Sequence, residues 1–332
     1  MDFEVLTRFG VADSPARTRP AERAPLRIGA VQLAWSADPD QHRANLAAGV
    51  ARAAEAGARL VALPELTLSP YFAVSDRGPG PGWAEPEPLE GGPTLALAGG
   101  LAADHGIHVH ASLYERVPDA EGGPPADGRG YNTAVVVGPD GSLVARTRKV
   151  HIPVTAGYFE DRYFLAGDGG FPPVAIGDAT FGFPTCWDQW FPELSRAYSV
   201  AGAEVLVYPT AIGSEPDHPD FDTEPLWQQV IVGQGIANGT FMVAVNRIGT
   251  EVLTLVDGTP MAGAEGSPLP PITFYGSSFV SDPYGRILVQ APRDRPAVLV
   301  ADLDLDARRD WLELFPFLTT RRPDQYGPLT DG

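Results

Sequence analysis

The chain contains a single cysteine, Cys186, in the segment FGFPTCWDQWFPELSRAYSV. A thiol attacks carbon as its thiolate, and with an ordinary pKa of about 8.5 only a few per cent is ionised at neutral pH. A nucleophilic role therefore requires a proton acceptor nearby. A short strand from Thr180 that ends at the cysteine, followed by a helix from about Pro192, would present the thiol at a sheet edge. A nearby helix start would favour its anion. Structural cysteines sit mostly within apolar runs, whereas Asp188 and Gln189 follow Cys186 closely.

Glu65 is the strongest candidate acceptor. It stands at the end of a buried-type strand in LVALPELTLSPYF, where burial would raise its proton affinity into the range useful to a general base. The neighbours Leu63, Leu66 and Leu68 disfavour the alternative of a salt-bridged surface carboxylate. Lys149 ends a strand in TRKVHIP, before Pro153 interrupts pairing. A fixed positive donor there would stabilise the oxyanion of a tetrahedral intermediate, although a lysine at a strand end is by itself more often a surface charge. Strand alternation places His151 on the face of Lys149 and turns Arg148 away. His108 and His110 also alternate onto one face, but two histidines without a third ligand at motif spacing read as packed or surface residues.

These residues need a scaffold. Residues 26–34 form a strand, and Asp38-Pro39 reads as an N-cap with proline at the first helical position. Leu46, Val50, Ala53 and Ala54 lie on one helical face until Gly57. Strands over 59–63 and 107–113 flank a second helix ending at His105-Gly106. The unit recurs: Ala201-Gly202-Ala203 precedes VLVYPT as Ala56-Gly57-Ala58 precedes LVALPE, and a helix from about Glu224 ends at Asn238-Gly239 before FMVAVNR. Such turns also recur by chance in α/β chains, but two helix–strand–helix–strand copies predict an α/β, four-layer α-β-β-α sandwich with an internal pseudo-repeat. Hairpins are expected at 131–150 and between 274–281 and 286–290. Glycine- and proline-rich loops are expected near 76–93, 119–130 and 256–271.

Residues 1–24 show no sustained period and read as an N-terminal arm outside the core, which leaves 25–332 as a single domain. With 42 acidic and 24 basic side chains the formal net charge is −18, which argues against nucleic acid and anionic lipid as partners. No stretch approaches the roughly 18 apolar residues of a membrane span, and a soluble, cytoplasmic protein is expected. No Gly-rich phosphate loop follows the first strand, so a nucleotide-binding module is disfavoured.

Together LPELTLSPYF, RKVHIP, GYFEDRYF and CWDQWFPE resemble the nitrilase superfamily of carbon–nitrogen hydrolases, in particular its N-carbamoylputrescine amidase branch. The likeness continues through YPTAIGSEP, VNRIG, ITFYGSSF and FPFLTTRRPDQYG. The resemblance implies a Glu–Lys–Cys triad at Glu65, Lys149 and Cys186, and a second glutamate at Glu160. It implies substrate-binding positions at Tyr71, Trp187, Asp188, Thr210 and Ala211, neither metal nor cofactor, and a homo-oligomer built on a dimer.

The chain departs from that branch at Gln234, where histidine would be expected, and residues 250–271 look longer than usual. Branches that take N-carbamoyl amino acids resemble one another in having arginine just after the cysteine. Here Trp187, Asp188, Gln189 and Trp190 follow, with Glu215, Asp217, Asp220 and Asp222 in the next loop. Such a rim suits a cationic amine end, if the acidic loop is not merely solvated. The expected substrate is a small amide or carbamoyl amine such as N-carbamoylputrescine. A β-ureidopropionase-like, aliphatic amidase, ω-amidase or nitrilase activity is the enzymatic alternative, and an oligomeric scaffold with a redox-sensitive thiol the non-enzymatic one.

Overall fold

The computed structural model describes residues 1–254 and 259–330. The first half carries strands β1 (Glu4–Arg8) and β2 (Leu26–Gln32), helix α1 (Pro39–Glu55), β3 (Leu60–Ala62), helix α2 (Pro93–His105), β4 (His108–Glu115), β5 (Tyr131–Val137) and β6 (Leu143–Arg148). A two-residue hairpin, β7 (Val154–Thr155) and β8 (Tyr158–Phe159), leads into β9 (Val174–Ile176), β10 (Ala179–Gly182), α3 (Pro192–Val200), β11 (Val205–Pro209), α4 (Glu224–Asn238) and β12 (Phe241–Val245). The chain then forms β13 (Ile248–Glu251), β14 (Ile272–Tyr275), β15 (Phe279–Ser281), β16 (Ile287–Gln290), β17 (Ala297–Leu303) and α5 (Asp306–Leu314).

One sheet has the order β1-β17-β2-β3-β4-β5-β6 and the other β16-β15-β12-β11-β10-β9. In the first, β2, β3 and β4 are parallel and are joined by α1 and α2; in the second, β10, β11 and β12 are parallel and are joined by α3 and α4. This is the repeated unit expected from the two alanine-glycine turns. Side chains alternate across each strand, so Val205 and Val207 of β11 face Ile28, Ala30, Leu60 and Ala62 of the other sheet. Leu206 and Tyr208 face Leu194, Tyr198, Trp227 and Ile231 of the helices outside. Val31, Val61 and Val109 likewise pack under Leu46, Val50, Ala98 and Leu101. The result is the expected α-β-β-α sandwich. Full burial of each such aliphatic side chain contributes about 1.5–3 kcal/mol.

Local chemistry agrees with these boundaries. The Asp38 carboxylate accepts the amides of Asp40 and Gln41 at the start of α1, with Pro39 in its first turn. No helix among the described residues is long and apolar enough to cross a membrane.

Three expectations are corrected. The N-terminal arm is not detached: β1 pairs in parallel with β17, Phe3 packs on the core beneath α1, and Arg17 is paired with Asp304 and Asp310. The absence of a period there reflects an edge strand largely exposed on both faces. The hairpin expected between 274–281 and 286–290 forms only from Phe279, where β15 pairs antiparallel with β16; Gly276 and Ser277 adopt positive φ and divert the preceding strand, β14, to pair with β13. The loop expected over 250–271 begins as strand, since Thr250 and Glu251 belong to β13; its residues 255–258 lie outside the described residues.

Gly49 in α1 provides a test of the packing. A methyl group there would stand 2.4 Å from Val31 Cγ1 and 3.2 Å from the Phe3 ring, and a β-branched valine has little rotamer freedom to yield. Overpacking costs about 1–3 kcal/mol, against a helix-propensity gain of about 1 kcal/mol for alanine over glycine. Gly49→Ala is therefore expected to lower the urea unfolding midpoint, and an unchanged or raised midpoint would contradict this packing.

Candidate active site

The expected catalytic side chains lie beyond the carboxyl ends of strands. Glu65 follows β3, Lys149 follows β6 and Cys186 follows β10, while Thr210 and Ala211 follow β11. Open α/β sheets bind ligands at this end, where the backbone leaves the ladder and side chains are free to converge. The two sheets meet here through the Glu65 amide, which reaches the Thr210 carbonyl at 3.4 Å.

Lys149 is completely buried between two carboxylates. Its Nζ lies 3.1 Å from Glu65 Oε1 and 2.6 Å from Glu160 Oε2. At an effective dielectric of ~20, unit charges this close attract by about 5 kcal/mol, enough to offset the several kcal/mol that each ion loses on leaving water. Burial alone would push the ammonium pKa down, but Glu160, Glu65 and Cys186 reverse this and hold it above the ordinary lysine value.

Each carboxylate is further oriented. Glu65 Oε1 also accepts Asn132 Nδ2 at 2.7 Å, while Glu65 Oε2 is buried with no hydrogen-bond partner among the described residues. Glu160 opens a short 3-10 turn and accepts the Tyr71 hydroxyl at 2.9 Å on Oε1. Burial raises the Glu160 pKa to about 7, with Lys149 opposing and Glu65 adding to the rise.

Cys186 opens a 3-10 turn, Cys186–Trp190, closed by a capping box between Thr185 and Asp188. Asp188 Oδ1 also accepts the His151 amide at 3.0 Å and His151 Nδ1 at 2.8 Å, and the His151 ring stacks on Phe191 with centroids 3.6 Å apart. Asp188 thus ties the cysteine turn to the segment following Lys149. The expected preference of the thiol for its anion is not what the surroundings produce. Burial and then Glu65 raise its pKa well above the ordinary value, with Glu160 adding to the rise; Lys149 and a hydrogen bond from the Ala211 amide only partly oppose them. The resting sulfur is held as a thiol.

Cys186 and Glu160 line a narrow cavity of about 120 Å³ together with Trp187, Trp190, Tyr158, Ile212 and Glu215. Of the residues expected to bind substrate, Trp187 stands in this wall and the Ala211 amide points at the sulfur. The other three turn polar atoms to protein partners: Tyr71 to Glu160, Asp188 to its capping box and His151, and Thr210 Oγ1 to the Val245 carbonyl at 2.9 Å. Gln234 is also outside the wall. It donates to the Gln189 carbonyl at 2.6 Å and accepts from Ser195, bracing the cysteine turn from behind. His110 is buried with its ring stacked on Phe183 at 5.4 Å.

Asn132 and Arg247 escaped sequence reasoning. The signal that exposed Glu65, a polar group in a buried-type strand or at its end, was present at both: Asn132 in YNTAVVV and Arg247 after FMVAV. Arg247 is 2% exposed and is hydrogen-bonded to the Glu65 carbonyl.

Replacing Lys149 with methionine would leave two buried carboxylates uncompensated, a loss expected to cost about 3–5 kcal/mol at pH 7. Without the ammonium that opposes the rise, the buried Glu160 carboxyl binds its proton still more tightly folded than unfolded. Folding stability should therefore rise as pH falls from 7 toward the unfolded glutamate pKa of 4.5. Urea unfolding of wild type and Lys149→Met at pH 7 and 5 should show a gap that narrows at the lower pH; a gap that widens would contradict this charge arrangement.

The family model for carbon-nitrogen hydrolases matches residues 27–313. An N-carbamoylputrescine amidase from Arabidopsis thaliana is 35% identical over 91% of this chain and 94% of its own length. A citrullinase from Francisella tularensis is 33% identical over 92% and 98% respectively. The crystal structure of a carbon-nitrogen hydrolase from Helicobacter pylori superposes with a TM-score of 0.74 at 29% identity, covering 92% of this chain and 99% of that one. By sequence along nearly its whole length, and by fold, this chain belongs to the carbon-nitrogen hydrolase family and is an enzyme that hydrolyses amide-type C–N bonds.

Proposed function

We propose that the enzyme hydrolyses a carbamoyl amine, N-carbamoylputrescine or a close analogue, to the free amine, carbon dioxide and ammonia, with Cys186 as nucleophile. Glu65 Oε2 takes the thiol proton as sulfur attacks the ureido carbon. The free oxygen of Glu65 supports this, because a buried thiol held protonated by its surroundings needs an acceptor at the moment of attack. The ammonium of Lys149 and the Ala211 amide stabilise the oxyanion. Collapse breaks the C–N bond, Glu65 returns its proton to the departing amine, and a carbamoyl thioester remains on the sulfur. Water activated by Glu65 then adds to that carbon. The C–S bond breaks, the thiol is restored, and carbamic acid separates into carbon dioxide and ammonia. Glu160 keeps Lys149 aimed at the reacting oxygen.

The observation that carries the substrate class is Glu215. Its carboxyl shares the cavity wall with Cys186, accepts Thr223 Oγ1 at 3.3 Å, and has its pKa raised by burial. A half-buried carboxyl of this kind gains from a cationic partner, and the faces of Trp187 and Trp190 beside it favour the same charge. No lysine or arginine is among the described residues lining the cavity, so the carboxylate of an N-carbamoyl amino acid would find no counter-charge. The name of the Arabidopsis thaliana relative agrees with this choice.

Ammonia release is expected to be much faster from N-carbamoylputrescine than from N-carbamoyl-β-alanine or L-citrulline; faster turnover of either amino acid would reject the proposed amine end. Glu215→Gln removes one charge-assisted contact, worth about 1.5–3 kcal/mol. It should therefore lower kcat/KM for N-carbamoylputrescine by about 10- to 100-fold, with little effect on a short neutral amide. Equal losses on both substrates would remove Glu215 from cation recognition.

A further inference from the structure

Arg247 and Glu251 are a buried ion pair that touches neither Cys186 nor any of the side chains placed around Lys149. Arg247 follows β12 and Glu251 ends β13; Nη1 of the arginine lies 2.8 Å from Glu251 Oε1. The rest of the guanidinium points into the turn after Glu65, with Nη2 2.8 Å from the Glu65 carbonyl, 2.7 Å from that of Leu66 and 2.7 Å from that of Ser69. Nε reaches the Glu65 carbonyl as well, at 3.2 Å. The turn is strained, since Leu66 has a φ of 49°, which costs a side-chain-bearing residue about 1 kcal/mol or more. A backbone in that state persists only if its surroundings hold it.

Glu251 reaches the other side of the charge cluster. Its Oε2 accepts the Tyr71 amide at 2.7 Å, and the Tyr71 hydroxyl donates to Glu160. One guanidinium–carboxylate pair therefore fixes the backbone that carries Glu65 and the phenol that aims Glu160. We infer that Arg247 and Glu251 are positioning residues: a clamp that sets the two carboxylates against Lys149 through the 65–71 turn, without touching substrate. The inference rests on the catalytic roles proposed for Glu65 and Cys186. A lysine cannot replace the clamp, because a single ammonium cannot span three carbonyls and a carboxylate as a planar fork does.

The test measures kcat and KM for Arg247→Lys, Glu251→Gln and Glu251→Ala, with kcat expressed per folded monomer, the folded fraction being taken from size-exclusion chromatography and circular dichroism. Misplacing a reacting group by about 1 Å costs about 10²-fold in rate. Arg247→Lys should thus lose about 10²-fold in kcat per folded monomer with KM within about threefold. Glu251→Gln, whose amide oxygen still accepts the Tyr71 amide, should retain clearly more activity than Glu251→Ala. A purely structural pair would reduce the folded fraction and leave kcat per folded monomer unchanged, and that result overturns the clamp. If Arg247→Lys does not fold, equal kcat per folded monomer in the two Glu251 variants overturns it instead. Cys186→Ala, assayed alongside, separates the failures: retained activity there would refute the underlying mechanism, whereas its loss together with an unaffected Arg247→Lys would refute the clamp alone.

Discussion

An ammonium group with no access to water must be matched by charge on every side it can reach, and Lys149 meets this condition between Glu65 and Glu160. Glu65 is 84 residues away in sequence, whereas Glu160 is 11 away and is brought back by the β7–β8 hairpin. One arrives from the end of β3 in the first half of the chain and the other from the turn after β8. Misplacing either would leave an uncompensated buried charge, a defect large relative to the net stability of a domain. The cluster therefore constrains the structure around it as much as it serves chemistry. Asn132 fixes one oxygen of Glu65, Tyr71 fixes one oxygen of Glu160, and the second oxygen of Glu65 is left free.

The sandwich makes this convergence possible. Two parallel β-α-β-α-β units, packed sheet to sheet through Ile28, Leu60, Val205 and Val243, bring the carboxyl ends of β3, β6, β10 and β11 to one end of the molecule. Helices on both outer faces keep the inner strands dry on each side, so groups emerging at their ends enter a region of low dielectric where single charges and dipoles act strongly. Such surroundings also raise the pKa of the Cys186 thiol. The proposed nucleophile and the proposed proton acceptor accordingly follow strands of different sheets, joined by Lys149 and by the link from Glu65 to Thr210.

Much of this was legible in the chain because its signals are violations of pattern. Glu65 is charged where the apolar β3 ends, and Cys186 is followed by polar residues where an inert thiol would be packed in apolar ones; Lys149, at a strand end, read by itself as a surface charge and drew its role from the family resemblance. Repeated alanine-glycine turns disclosed the doubled architecture. Glu160 was accessible only through family resemblance, because a carboxylate in a loop violates nothing. Polarity near the cysteine said nothing about direction: Tyr71, Asp188 and Thr210, expected at the substrate, and Gln234, singled out as a departure from the branch, each hydrogen-bond to a protein partner. The N-terminal segment was missed because β1 is an edge strand with little apolar alternation, held largely by backbone pairing to β17 and by arginine–aspartate pairs that no local period announces.

In the proposed mechanism a covalent bond forms between Cys186 and the carbonyl carbon of the substrate while Glu65 manages the proton. Mass spectrometry of the intact Glu65→Gln protein after mixing with N-carbamoylputrescine, followed by peptide mapping, tests it most directly, because removing the base slows release of the acyl group as well as its formation. The expected result is a mass increment of one carbamoyl group located on Cys186. Hydrolysis of the same substrate by wild type, with no adduct on Cys186 in either protein at any time during turnover, would contradict it.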